Sequence, residues 1–277
     1  MNPPFPPLAC SVRACAEPLA RDGARWLCTK GHSFDVARSG YLSLLQPQDR
    51  RSLEAGDPRE TVDARRALLD GGFGDALTRA LLELAHRWGV RRESVALELG
   101  CGEGHFLAAL ATEFEASALG IDLSPHAVER CARRHPQHFW LVTNADRRLP
   151  LLAGSIDVAL SIDGRRPRDE LARVLAPGGR LLVAVPAPDD LAELRGEVLP
   201  QSSELDRVPR VLAELGERFE LLGRSSARQR SLLDRTGLAR LALATYRCAR
   251  QRERERLERL DTLEVTSSHD LLAFAVR

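Results

Sequence analysis

Glu98-Leu-Gly-Cys-Gly-Glu-Gly104 is the stretch whose reading decides the fold. It follows the apolar run Val95-Ala-Leu-Glu-Leu99, a buried strand in pattern, and precedes a helical stretch through Phe106 and Ala111. A strand that ends in glycines and restarts as a helix lets backbone approach a ligand closely, with the helix's first amides facing it. Three further apolar runs repeat the theme downstream: SALGID (117–122), HFWLVT (138–143) and IDVALSI (156–162). Leu175-Ala-Pro-Gly-Gly-Arg180 then enters RLLVAV (180–185), a fifth strand. Strands alternating with helices predict an α/β fold with a parallel sheet covered on both faces.

A G-x-G-x-G turn alone also serves dinucleotides, so its neighbours matter. Asp122 ends the second strand, where a carboxylate can accept both ribose hydroxyls. Asn144-Ala-Asp146 follows the third, where a polar side chain can reach an adenine amino group. Glu98 at the opening turn would repel a pyrophosphate but suits a cation. S-adenosylmethionine (SAM), with its sulfonium and ammonium, therefore fits better than NAD. The expected cofactor residues are Glu98, Gly100, Gly102, Glu103, Asp122, Asn144 and Asp146. For two of these a plainer role stays open: Asp146 as a turn residue, and Glu103 as a charge at a helix N-terminus.

The N-terminus carries a different chemistry. Cys10 and Cys15, then Cys28 and His32, form two closely spaced ligand pairs, and zinc takes four N or S ligands in a tetrahedron. A segment this short has little core of its own, so a metal would supply much of its folding free energy. Four protein ligands leave no open position, so the zinc would be structural. The remaining cysteines, Cys101, Cys131 and Cys248, read as small buried apolar residues.

The 277 residues are 44% hydrophobic and 29% charged, a globular balance with room for one large domain or two unequal ones. No run approaches the roughly 20 apolar residues of a membrane helix, and Met1 to Cys10 lacks the pattern of a secretory leader. The expected setting is cytoplasmic, with no membrane partner. Net charge is +1, and Lys30 is the only lysine, so a cationic face would be built from arginine. Polar residues 46–60 read as a linker. Helical spacing runs from about Glu60 to Trp88, divided at Gly71-Gly72. In the tail, FELLGRSS (219–226) and LLAFAV (271–276) read as two closing strands, and QRERERLERL (251–260) as a solvated helix.

Residues 94–190 resemble the class I SAM-dependent methyltransferases. A closer resemblance covers Cys10 to Leu194, through Gly31-His-Ser-Phe-Asp35, Gly40-Tyr-Leu-Ser-Leu-Leu45 and Asp63-Ala-Arg-Arg-Ala-Leu-Leu-Asp70. These segments are similar to those of the bacterial 23S rRNA guanine-N1 methyltransferase family. The resemblance implies a zinc-binding domain (1–45), a linker and helical region (46–93) and a class I methyltransferase domain with a Rossmann-like sheet (94–277). It implies methylation of guanine N1 in ribosomal RNA, with the zinc domain helping to hold RNA; a homodimer is a possible assembly. Three segments depart from the family pattern. Asp70-Gly-Gly-Phe-Gly74 stands for "DAGHY", Asp163-Gly164-Arg165 for a "YAP"-like or "FSP"-like pocket segment, and Pro186-Ala-Pro-Asp-Asp190-Leu191 for "PGPRHL". Other acceptors thus stay open: another RNA position, a small molecule, or a non-catalytic RNA-binding role.

Guanine N1 must lose a proton, and Asp163 is the candidate catalytic base, with a plain turn carboxylate as the alternative. RNA needs cationic surface. Arg50, Arg51, Arg65 and Arg66 fall near the domain junction, and Arg147, Arg148, Arg165, Arg166 and Arg168 in loops beside the expected cleft.

Overall fold

The computed structural model describes residues 5–46, 56–198, 205–245 and 251–277. Linker residues 47–55, with Arg50 and Arg51, lie outside that range, as does Cys248. Near the N-terminus, β1 (Leu19–Asp22), β2 (Arg25–Cys28) and β3 (Ser33–Asp35) form a small antiparallel sheet. The short β4 (Leu42–Ser43) instead joins the large sheet, parallel to β7 (Phe139–Val142). Helices α1 (Arg59–Asp70) and α2 (Asp75–Arg87) follow, broken at the two glycines as the spacing predicts.

The expected alternation then appears in order: β5 (Val95–Leu99), α3 (His105–Phe114), β6 (Ser117–Asp122), α4 (Pro125–Arg134), β7, β8 (Ile156–Ile162), α5 (Arg168–Val174) and β9 (Leu175–Pro186). Next come α6 (Ala192–Val198), α7 (Val208–Leu215), β10 (Phe219–Asp234), α8 (Arg235–Ala244), α9 (Gln251–Leu257) and β11 (Thr262–Val276). The large sheet has the order β10-β11-β9-β8-β5-β6-β7-β4, with β5 to β9 parallel and β11 antiparallel to β9.

Strand periodicity explains the two covered faces. On β5 and β6, Leu97, Leu99, Leu119 and Ile121 point into one core, with Trp26, Cys28 and Leu42 of the N-terminal segment. Ala96, Ala118, Leu160 and Leu182 point into another, beneath α2, α3 and α4. Trp26 meets Phe139 edge to face at 5.6 Å, which seats the cysteine segment against the start of β7.

The tail forms the two expected closing strands with helices between them, but the strands run longer than their signal. The closing strands are 16 and 15 residues long, about twice the apolar runs that signal them. They pair continuously from Phe219↔Val276 to Asp234↔Thr262, apart from one bulge at Leu221/Gly223. The outer half of β10 is largely exposed, so it alternates in polar residues and carries no hydrophobic signal. The charged segment 251–260 does begin as a helix, but Leu257 is buried against Val198 and Leu241. No helix among the described residues is long and apolar enough to cross a membrane.

Candidate active site and metal centre

The glycine turn works through backbone conformation. Gly100, Gly102 and Gly104 all have positive φ (72°, 53° and 84°), which L-residues with a Cβ adopt at a cost. A Cβ on Gly104 would also stand 2.6 Å from the buried Trp140 ring. Carboxylates then pin the turn. Asp122 at the end of β6 accepts from Gly102 N–H at 2.9 Å through Oδ2 and from Ser124 N–H at 2.8 Å through Oδ1. Glu98 on β5 accepts from Leu107 N–H at 3.1 Å, inside the first turn of α3. Cys131 donates its S–H to Gly102 O at 3.1 Å, from α4 beneath. Ser124 caps α4 by accepting from Ala127 N–H, and donates to Asp57 O at 2.7 Å.

These acids share one electrostatic character. Burial pushes the Glu98 carboxyl well above the usual range, against the Leu107 amide, with Glu103 and Asp122 adding to the rise. Burial also raises Glu103, opposed mainly by Arg134. It raises Asp122 too, against the Ser124 and Gly102 amides. Three crowded, poorly hydrated carboxyls make a place where a cation is welcome.

A cavity of 840 Å³ opens across the C-terminal ends of the parallel strands. Glu98, Gly100, Gly102, Glu103, Asp122, Asn144 and Asp146 all line it, and so does Asp163. Asn144 Oδ1 accepts from Asp146 N–H at 2.9 Å, and Asp146 reaches Arg165 at 3.5 Å. Asp163 follows β8 with φ +51°, and its Oδ2 lies 3.2 Å from His269 Nε2 on β11. Asp190, within the segment read as altered, lines the same cavity; so do His269 and Arg207, which escape the sequence reading, as does the role of Arg65. Arg65 pairs with Asp57 at 2.8 Å, and its guanidinium would stand 3.5 Å from a Cβ on Gly102. The one available hint for His269 is the polar run Ser267-Ser268-His269-Asp270 ahead of an apolar strand end.

The arginine loops are less free than their sequence implies. Arg166 is mostly buried, bound to Glu214 at 3.1 Å and to Gly164 O at 3.0 Å. Arg168 pairs with Glu217 at 2.8 Å. Arg165 keeps a side chain 75% exposed.

At the N-terminus, the ligand atoms of Cys10, Cys15, Cys28 and His32 lie within 4.8 Å of one another. Cys10 Sγ and Cys28 Sγ stand 3.4 and 3.3 Å from His32 Nδ1, and Cys15 Sγ stands 3.9 Å from Cys28 Sγ. Zinc bond lengths in a tetrahedron give edges of about 3.8 Å between sulfurs and about 3.5 Å from sulfur to nitrogen. The residues fit a structural zinc, in an arrangement formed by the hairpin turn that bonds Cys28 N–H to His32 O.

Residues 96–179 match the profile of a methyltransferase domain, and residues 9–53 match a zinc-ribbon profile described as "RlmA, N-terminal". Two solved structures share the fold at 14% identity. One is a candidate methyltransferase of Bacillus halodurans (TM-score 0.51, covering 70% of this chain and 97% of that one). The other is the YcgJ protein of Bacillus subtilis (TM-score 0.50, covering 72% and 98%). Fold, cavity and cysteine cluster together define a class I SAM-dependent methyltransferase with an N-terminal zinc ribbon. The 23S rRNA (guanine(748)-N(1))-methyltransferase of Streptomyces fradiae is 38% identical over 229 residues, which is 82% of this chain and 81% of the relative. A candidate 23S rRNA guanine-N1 methyltransferase of Micromonospora griseorubida is 35% identical over 249 residues, 83% of each chain. The chain belongs to this 23S rRNA guanine-N1 methyltransferase family.

Proposed function

We propose that the protein transfers a methyl group from SAM to N1 of a guanine in 23S rRNA, in the cytoplasm. One observation carries the reading: a single cavity holds both the acid-lined glycine turn and Asp163, in a chain whose relative from Streptomyces fradiae has this activity in its name. Bound SAM supplies a methyl group on a positively charged sulfur. Asp122 would accept from the ribose hydroxyls, since each carboxylate oxygen has lone pairs beyond those its amide partners use. Glu98 and Glu103 would face positive charge, Asn144 and Asp146 the adenine, and Arg65 the carboxylate of the methionine part. The amides of the turn at Gly100 and Gly102 would lie against the ligand.

Methyl transfer from such a donor needs alignment above all, and orientation alone supplies about 7–11 kcal/mol. The acceptor guanine must leave its stack to enter the cavity. Its N1–H must also go, and Asp163 would take the proton. Arg165, on the rim beside Asp146, would meet phosphate. The zinc ribbon, seated by Trp26 on Phe139, would give a second RNA-contacting surface.

The test is transfer of labelled methyl from SAM to rRNA, followed by primer extension. N1 methylation blocks the Watson–Crick edge, so extension should stop beside one guanine. Label incorporated without a stop would move the acceptor to another position, which the Asp163-Gly164-Arg165 segment leaves open. No label on any RNA would overturn the reading.

A further inference from the structure

The cavity wall on the β8 side of the glycine turn is built by segments far apart in sequence. Asp163 comes from the end of β8, Asp190 from the loop after β9, Arg207 from the segment before α7, and His269 from β11. His269 is nine-tenths buried, with its side chain 11% exposed, whereas that of Asp163 is 48% exposed to the cavity mouth. Its Nε2 lies 3.2 Å from Asp163 Oδ2. Its Nδ1 is buried without a hydrogen-bond partner among the described residues. A buried imidazole anchored through one nitrogen only is held in place by that bond. Its β10 and β9 neighbours in register, Ala227 and Pro186, offer no side-chain partner.

We propose that His269 is a positioning residue for the methyl acceptor: it donates Nε2–H to Asp163 Oδ2 and leaves Oδ1 for the acceptor's N–H. The proposal rests on the reading of Asp163 as the proton acceptor. In the step it serves, the guanine N1–H bond breaks and the proton passes to Asp163 Oδ1. The nitrogen's electron pair forms the new bond to the methyl carbon, and the C–S pair stays on the departing thioether sulfur. Asp163 returns the proton to solvent when product leaves.

The surroundings favour the charged ring. Burial pulls the His269 pKa down, but the Asp163 hydrogen bond and the charges of Asp163 and Asp190 outweigh it, with Arg207 opposing; the net direction is up. A fixed charge beside Asp163 also steadies the negative charge that grows on the guanine as its proton leaves.

Two measurements separate this role from a merely structural one. The first is NMR titration of ¹⁵N-histidine-labelled protein, with the His269 signal assigned by its loss in His269→Gln. It should titrate above the ordinary value of about 6.5 and move down in Asp163→Asn. The second is kcat against pH at saturating SAM and RNA. The wild type should lose activity on the alkaline side as His269 deprotonates. His269→Gln keeps a donor but cannot titrate, so that limb should disappear, while His269→Ala should lose at least tenfold more activity than His269→Gln. A His269 titration unmoved by Asp163→Asn, or an alkaline limb that persists in His269→Gln, overturns the proposal. If wild-type protein methylates no rRNA, the acceptor assignment fails, and the NMR titration still decides the pair.

Discussion

The two walls of the cavity are built in opposite ways. The wall at β5, β6 and β7 comes from one continuous segment, Glu98 to Asp146, in which the polar residues sit at or just after strand ends. Its Glu98 and Asp122 carboxylates are bonded to backbone amides of the turn and the helix starts, so geometry there is set by local structure. The wall at β8, β9 and β11 is assembled across the chain: Asp163 and His269 are 106 residues apart. Asp163 and His269 meet there side chain to side chain, while Asp190 accepts from Ser268 N–H and Arg207 donates to Pro186 O, partners from distant segments and not from one turn. A cofactor wall fixed by backbone can be common to many acceptors, whereas an acceptor wall made of side chains can change residue by residue. Two of the three segments read above as departing from the family pattern, Asp163 to Arg165 and Pro186 to Leu191, lie on that wall; the third, Asp70 to Gly74, joins α1 to α2.

If the walls are separate in role, damage to one should spare the other. Asp163→Asn is nearly isosteric and should lower kcat by about 10²- to 10⁴-fold, the usual weight of a general base. SAM affinity by calorimetry should stay within about twofold; a matching loss of affinity would join the walls into one unit. Asp122→Ala removes a charged acceptor worth roughly 1.5–3 kcal/mol, so SAM should bind about 10- to 150-fold more weakly. Equal affinity in the two proteins would remove Asp122 from the site.

A smaller effect comes from pH. Glu98, Glu103 and Asp122 have raised pKa values, so in the free protein each binds more protons than when unfolded, and folding stability falls as pH rises through that range. A bound cation favours their ionised forms. SAM should therefore bind with proton release, and its affinity should climb by up to about tenfold per pH unit above the ordinary carboxylate range, in a cation-dependent way. Calorimetry in buffers of different ionisation enthalpy reads this directly; no proton release would mean that these acids do not sense the ligand. The smallest effect is at the rim. Arg165→Ser should reduce the log–log salt slope of RNA binding by about 1. Arg166→Ser should instead lower the melting temperature, because Arg166 is committed to Glu214 and Gly164.

The same contrast decides what the sequence could disclose. Strands β5, β6 and β8 coincide with their apolar runs, because a strand buried on both faces is written as continuous hydrophobicity. The cysteine pairs were legible because one turn supplies two ligands. The hairpin β10–β11 was legible only where its inner ends meet the core. Arg166 looked like a phosphate ligand because its partner Glu214 lies 48 residues away on α7. His269 was invisible for the same reason, since a lone histidine in a polar run has no local spacing to give it meaning.

The placement of β11 bears on the order in which these walls come into being. Although it is the last strand in the chain, it lies inside the sheet, between β9 and β10. During synthesis the chain emerges N-terminus first. The glycine turn and its carboxylates can close once β7 and the residues after it have been made. The histidine beside Asp163 arrives more than a hundred residues later, on a strand that must slot in between β9 and β10. Until β11 has been made, the acceptor wall lacks its histidine, although every residue of the glycine turn has long since been joined.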